Sequence, residues 1–204
     1  MTQAGFEETL APNLYYDRQF EMDAVKILPG EYYVSNRELV MVTVLGSCVG
    51  ACIRDRIRGI GGINHFMLPD DKRNEDTRTG SALRYGDYAM EILINQLIKL
   101  GAQRQNLEAK VFGGGNVLPG FTHNSVGERN ARFVKDYLKT ERIPMVAQDL
   151  LGSHPRKIYF FPTTGRVLVR KLRTLHNDTI IKRELNYSRQ LDQSEVEGEV
   201  ELFD

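Results

Sequence analysis

The chain has 204 residues, with 27 Lys and Arg against 27 Asp and Glu, and 41% of it is hydrophobic. The cancelled charge leaves no global basic field to recruit nucleic acid or an anionic membrane, and the length suits one globular domain with its own core and ordinary tails. No apolar run approaches the roughly 20 residues that insert across a bilayer, and the opening MTQAGFEETLAPNLYYDRQF lacks the apolar h-region of a signal peptide.

In chain order, residues 1–25 are polar and read as an irregular, loosely attached arm. Val25–Val34 enters the first strand around a Pro29-Gly30 turn. Glu38–Leu45 is rich in β-formers and is expected as a strand buried in a sheet. It runs into Gly46-Ser47-Cys48. Gly46 permits a sharp bend that exposes the Cys48 sulfur and aims backbone N–H groups toward it; the alternative is an ordinary turn. Within the strand, Thr43 on its own is an ordinary β-branched residue.

The stretch Val42–Pro69 holds both cysteines, Cys48 and Cys52, and one of four histidines, His65. Two small, apolar segments flank Asp55-Arg-Ile-Arg-Gly59, the pattern of a β-hairpin. With the turn centred between Arg56 and Ile57, Cys48 faces His65, Gly50 faces Ile63 and Cys52 faces Gly61. Opposed side chains then share a face, with Cβ atoms about 4.5–5.5 Å apart. A thiol and an imidazole at that spacing can hydrogen-bond, as an activated nucleophile requires. A slip of one residue puts them on opposite faces.

Beyond Pro69, Asp70–Gly80 is a mixed-charge connection. Leu83–Leu100 follows a helical period, with Tyr85, Ala89, Ile92, Leu93, Leu97 and Leu100 on one stripe and Gly101 as its stop. Leu107–Phe112 is a strand that ends in Gly113-Gly-Gly-Asn116, a signal of close backbone approach. The triplet lacks the Lys-Ser/Thr of a phosphate-binding loop. Asn124-Ser125 with Glu128 reads as a capping box for a helix to about Thr140. Pro144–Leu151 is a further strand, and Lys157–Phe161 and Arg166–Arg170 form a second hairpin. The segment 174–204 is a polar tail, and its last part, from Leu191, carries six acidic residues and no Lys or Arg.

Two chemistries compete for the cysteines. A Cys48/His65 pair is a nucleophile and base; the alternative is a core cysteine beside a satisfied histidine. The remaining histidines, His123, His154 and His176, match no zinc spacing with Cys48, Cys52 and His65, so no metal is expected. Cys48 and Cys52, on one strand, are a poor disulfide pair and read as free thiols, with Cys52 a small core residue.

Several blocks are recognisable together: Leu45-Gly-Ser-Cys-Val-Gly50, Gly61-Gly-Ile-Asn-His-Phe-Met-Leu-Pro69, Leu83-Arg-Tyr-Gly-Asp-Tyr-Ala-Met90, Lys110-Val-Phe-Gly-Gly-Gly-Asn116, Gly127-Glu-Arg-Asn130 and Arg156-Lys-Ile-Tyr-Phe-Phe-Pro-Thr-Thr-Gly-Arg166. In this order they resemble the CheD family of chemoreceptor glutamine deamidases, from about Ile27 to Lys171. The resemblance implies a deamidase domain over residues 26–173 with an α+β fold, mixed sheets layered with helices, similar to bacterial deamidating toxins. It implies hydrolysis of glutamine side-chain amides in methyl-accepting chemotaxis receptors, in the cytoplasm. It places the family's cysteine on Cys48, its histidine on His65 and its threonine on Thr43. It leads to a glycine near Leu151, where this chain departs from the pattern. No metal or organic cofactor is implied. Backbone N–H groups around Gly46, Ser47 and Cys48 are the candidates for holding the oxyanion. Two competing readings remain: an interaction protein that binds a CheC-like chemotaxis phosphatase, and a cysteine peptidase using the same dyad on a main-chain amide.

Overall fold

The computed structural model describes residues 9–11, 13–68, 81–117, 126–172 and 177–193. The predicted Asp70–Gly80 connection, the Asn124-Ser125 cap, His123, His176 and the acidic segment beyond Gln193 lie outside them. The architecture is α+β, as expected, with two mixed sheets and three helices.

The site-bearing sheet is six-stranded. Its centre is the hairpin β6 (Val49–Asp55) and β7 (Ile60–Phe66), flanked by β4 (Glu31–Ser35) and β8 (Leu107–Gly113). The short β1 (Thr9–Leu10) and β9 (Met145–Leu150) close its edges by parallel pairing. Helices α1 (Ser81–Lys99) and α2 (Val126–Thr140) pack on one face. Phe66 of β7 meets Phe133 of α2 edge-on at 5.9 Å, and the Asn64 amide donates to the Ala89 carbonyl of α1 at 2.9 Å. Even-numbered β7 residues therefore face the helices, and odd-numbered ones, including His65, face the second sheet.

That second sheet has the order β11 (Arg166–Lys171), β10 (Arg156–Phe161), β5 (Val40–Leu45), β3 (Met22–Lys26), β2 (Asn13–Asp17). Its central strand β5 alternates strictly. Met41 and Leu45 join the main core, whereas Val40 and Val42 join a smaller cluster with Tyr159 and Phe161. Thr43 shares the face of Met41 and Leu45, so it points at the first sheet.

Three expectations are corrected here. The arm predicted over residues 1–25 is not irregular where it is described: it contains β1, β2 and all of β3 but its last residue. β2 is an edge strand exposed on nearly its whole length, so it carries no alternation of burial for a sequence pattern to record. Second, the β6–β7 register pairs Gly50 with His65, Cys52 with Ile63 and Arg54 with Gly61. A two-residue turn at Arg56-Ile57 needs left-handed backbone that Arg and β-branched Ile resist. Instead residues 56–59 make the turn, with Gly59 at φ 65° supplying the left-handed position and the Asp55 carboxylate accepting from the Ile57 and Arg58 N–H groups. The slip is of two residues, so Cys48 stays on the His65 side, two residues before Gly50, which directly opposes His65. Third, the polar C-terminal tail contains helix α3 (Asn177–Gln193), which buries Glu184, Tyr187 and Leu191.

Leu151, where the family resemblance leads to a glycine, has φ 66°. It follows β9 and is tied down on both sides: its N–H donates to the Gly113 carbonyl at 2.9 Å, and its carbonyl accepts from Arg156 Nη2. A left-handed leucine costs about 1–2 kcal/mol. Leu151→Gly should therefore raise stability by about 1 kcal/mol in urea melts, and Leu151→Val should lower it; the reverse order would show that the loop carries no such strain.

Candidate active site

The loop between β5 and β6, Gly46-Ser47-Cys48, has all of its carbonyls turned back into the protein. The Gly46 carbonyl accepts from Gly115 N–H (2.7 Å) and the Cys48 carbonyl from Gly114 N–H (2.7 Å). The Ser47 carbonyl accepts from the Asn130 side-chain amide at 2.9 Å. Asn130 also accepts from Leu68 N–H at 2.8 Å, so α2 clamps this loop and the chain leaving β7 together. The glycine triplet predicted to mark close approach does so here, and the thing approached is the cysteine loop itself. A Cβ on Gly113, at φ 106°, would lie 2.1 Å from the Cys48 carbonyl oxygen, so no other residue fits.

With the carbonyls held inward, the three N–H groups converge on one point. Glu184 of α3 fills it. Its Oε1 accepts from Gly46 N–H (2.8 Å) and Cys48 N–H (3.3 Å). Its Oε2 accepts from Ser47 N–H (2.9 Å) and the Ser47 hydroxyl (2.7 Å). Such a nest of backbone donors is an anion site.

Cys48 is fully buried beside it. Its Sγ, an imidazole nitrogen of His65 and a Glu184 carboxylate oxygen lie within 4.8 Å of one another. By residue type the three could ligate a cation, but the carboxylate's lone pairs are committed to the loop donors. Burial pushes the Cys48 thiol well up, and the neighbouring Glu184 charge and hydrogen bond add to it.

Thr43 fixes the imidazole. Its hydroxyl donates to the Ile27 carbonyl at 2.8 Å, which uses its only proton. At the 2.8 Å contact between Thr43 Oγ1 and His65 Nδ1, the ring nitrogen is therefore the donor. This sets the tautomer: Nδ1 carries the proton and Nε2, buried without a hydrogen-bond partner, keeps its lone pair. Burial pulls His65 down to about 3, against the opposing pull of the Ile27 carbonyl. Thiol and imidazole are thus both neutral at rest.

Beside His65 and Thr43 lies a cleft of about 320 Å³, also bordered by Ile27, Lys26, Lys157 and Glu184. Cys52 lies in the core as a buried free thiol whose pKa burial raises, and is unreactive by position. His154 is exposed and is not one of the residues gathered at this array. The five residues singled out in the sequence, Thr43, Gly46, Ser47, Cys48 and His65, are all at this one place. Asn130 and Glu184 were not anticipated. Asn130 lies inside a recognised block, Gly127–Asn130, and its place four residues before Val134 and seven before Tyr137, in register with the apolar face of α2, was the available signal. Glu184 had one too: an acid in register with Tyr187 and Leu191 along one helical face.

A two-sheet α+β protein with a buried Cys–His–Thr array and a backbone anion nest has the equipment of a cysteine-dependent acyl-transfer enzyme. The family described as CheD chemotactic sensory transduction matches residues 67–171. The chain is 61% identical over 98% of its length to the probable chemoreceptor glutamine deamidase CheD of Thiobacillus denitrificans, covering 99% of that protein. It is 59% identical to the protein of the same description from a Janthinobacterium species (97% of each chain), and 56% identical to one from Shewanella oneidensis (94% and 93%). The chain belongs to the CheD family. Among solved structures, the Bacillus licheniformis hypothetical protein YfiH aligns at a TM-score of 0.39 and 14% identity over 74% of this chain and 66% of that one, too distant to bear on fold or function. Among the described residues no helix is long and apolar enough to cross a membrane.

The buried neutral histidine makes stability depend on pH. Between about 6.5 and 3 the unfolded chain binds a proton at His65 that the folded protein does not, so stability falls as pH drops. Urea melts at pH 7 and pH 5 should show a loss of about 2 kcal/mol that disappears in His65→Gln. Equal losses in both proteins would mean that His65 is not held neutral.

Proposed function

We propose that this chain hydrolyses the side-chain amide of glutamines in chemoreceptors, giving glutamate and ammonia. The observation that carries the reading is the convergence of the Gly46, Ser47 and Cys48 N–H groups on one carboxylate beside the Cys48 thiol and the His65 ring. A tetrahedral intermediate of amide hydrolysis needs that combination: a nucleophile, a base and donors for the oxygen that becomes negative. The high identity to proteins named chemoreceptor glutamine deamidase supports the choice of a side-chain amide as substrate.

The roles follow from the geometry. The amide carbonyl of a glutamine lies in the nest with its carbon toward Cys48. His65 Nε2 accepts the thiol proton as sulfur attacks, so the two neutral groups become an ion pair only while the bond forms. Thr43 accepts from Nδ1–H throughout and keeps the ring aimed. The N–H groups of the loop take up the oxyanion charge. His65 returns the proton to the departing nitrogen, ammonia leaves and a thioester remains on Cys48. Water, giving its proton to the same imidazole, releases glutamate. No step calls for a metal or organic cofactor.

The resemblance extends the reading to the cytoplasmic helical region of methyl-accepting receptors as the segment acted on, and to the cytoplasm as the location. It also keeps a CheC-like phosphatase as a second partner. Cys48→Ala and His65→Ala should each abolish ammonia release from a receptor cytoplasmic fragment, and Thr43→Ala should slow it about tenfold or more. In mass spectra, treated receptor should gain about one dalton per modified glutamine, whereas chain cleavage would mark a peptidase. Turnover that survives Cys48→Ala would remove the assignment. Chemotaxis function that survives Cys48→Ala without deamidation would favour the interaction role.

A further inference from the structure

Glu184 has no part in the chemistry above, yet it occupies the place the chemistry needs. A glutamate side chain is the product of glutamine deamidation, and this one is borne on a helix. A Cβ on Gly46 would come within 2.8 Å of its oxygens, so a larger residue there would have to push the carboxylate from its present place. The helix is held by the same face. Tyr187 and Leu191, three and seven residues on, are each 3% exposed, and the Tyr187 hydroxyl pairs with that of Tyr85 on α1. Glu184, Tyr187 and Leu191 are one stripe of an α-helix.

We propose that α3 is a built-in competitor of the substrate, docked in the groove that receives a substrate helix, with Glu184 in the place of the glutamine to be hydrolysed. While α3 is seated, Cys48 is covered and its nest is filled. A receptor helix gains the site by displacing α3, and the pattern it offers is a glutamine followed by an aromatic residue at the third position and an apolar one at the seventh. The substrate part of this inference rests on the deamidase reading; the covering of Cys48 does not. Burial and the Glu184 charge both hold the Cys48 thiol protonated, so departure of the helix also frees the nucleophile to ionise.

The pose has a chemical consequence. In Glu184→Gln the enzyme holds its own substrate. Cys48 sulfur adds to the carbon of the introduced side-chain amide, the C–N bond breaks, ammonia leaves with the proton relayed by His65, and solvent water cleaves the C–S bond to restore the glutamate.

The test uses the full chain. First, the rate of Cys48 alkylation by iodoacetamide is compared in wild type, Glu184→Ala and Tyr187→Ala, with buried Cys52 as the internal control for unfolding. The expected result is an acceleration of at least about tenfold at Cys48 with Cys52 unmodified; unchanged Cys48 rates, or equal gains at both thiols, overturn the proposal. Second, Glu184→Gln is followed by mass spectrometry. A gain of about one dalton at the substituted position that requires Cys48 supports the substrate-like pose. An introduced amide that persists in a protein still able to deamidate the receptor fragment overturns it. If no form of the chain deamidates either the receptor or the substituted position, the deamidase reading fails, and the alkylation rates alone decide whether α3 covers Cys48.

Discussion

The orientation of three peptide groups, those of Gly46, Ser47 and Cys48, is the constraint on which the site depends. A loop that faces its carbonyls into the protein must face its N–H groups out, and a cluster of such donors is useful only if nothing lets the peptides turn over. Each carbonyl has its own lock: Gly115 N–H, Asn130 amide and Gly114 N–H. Those locks come from α2 and the end of β8, elements far away in sequence. Close contact between the β8 end and the loop demands glycine at Gly113, and close contact between the β8 end and α2 demands it at Gly114 and Gly127, where a Cβ has too little room. The glycine triplet is thus a structural condition for the nest.

The second constraint is burial. Cys48 and His65 sit in the layer between two sheets, where charge is costly, and both are neutral there. Thr43 resolves the ambiguity this creates. Its hydroxyl is committed to the Ile27 carbonyl, which leaves one tautomer of His65 and directs the basic lone pair away from the threonine. Positioning by a neutral hydroxyl avoids placing a further charge in the layer, whereas a carboxylate in the same role would need its own compensation.

Much of this was legible in the sequence, for reasons that differ from element to element. α1 and α2 declared themselves by apolar period, and β5 by its run of β-formers between Val40 and Leu45. The shared face of Cys48 and His65, though not their direct pairing, survived an error in the turn because a slip of two residues preserves the face, while a slip of one would have destroyed the inference. What had failed was turn chemistry: Asp55 caps a longer turn closed by Gly59. Thr43 was not legible by pattern, since a strand threonine is ordinary until its partner across the sheets is known; family resemblance supplied it. β2 and α3 were missed for a shared reason. β2 is exposed along nearly its whole length, and among the described side chains of α3 only Glu184, Tyr187 and Leu191 are buried, and burial is what writes periodicity into a sequence. α3 contributes only a short stripe, and one member of it, Glu184, is an acid.

The central claim is that Cys48 forms a bond to the substrate's side-chain carbon while the loop N–H groups hold its oxygen. Acid-quenched mixtures of the protein and a receptor cytoplasmic fragment, sampled during turnover and analysed intact, test it most directly. The account predicts a species with the mass of the two chains less about 17 Da, the ammonia lost. Proteolytic mapping should place the link between Cys48 and a receptor glutamine, and hydroxylamine should cleave it. Steady ammonia release with no adduct at any quench time, or an adduct mapped to another residue, would contradict it.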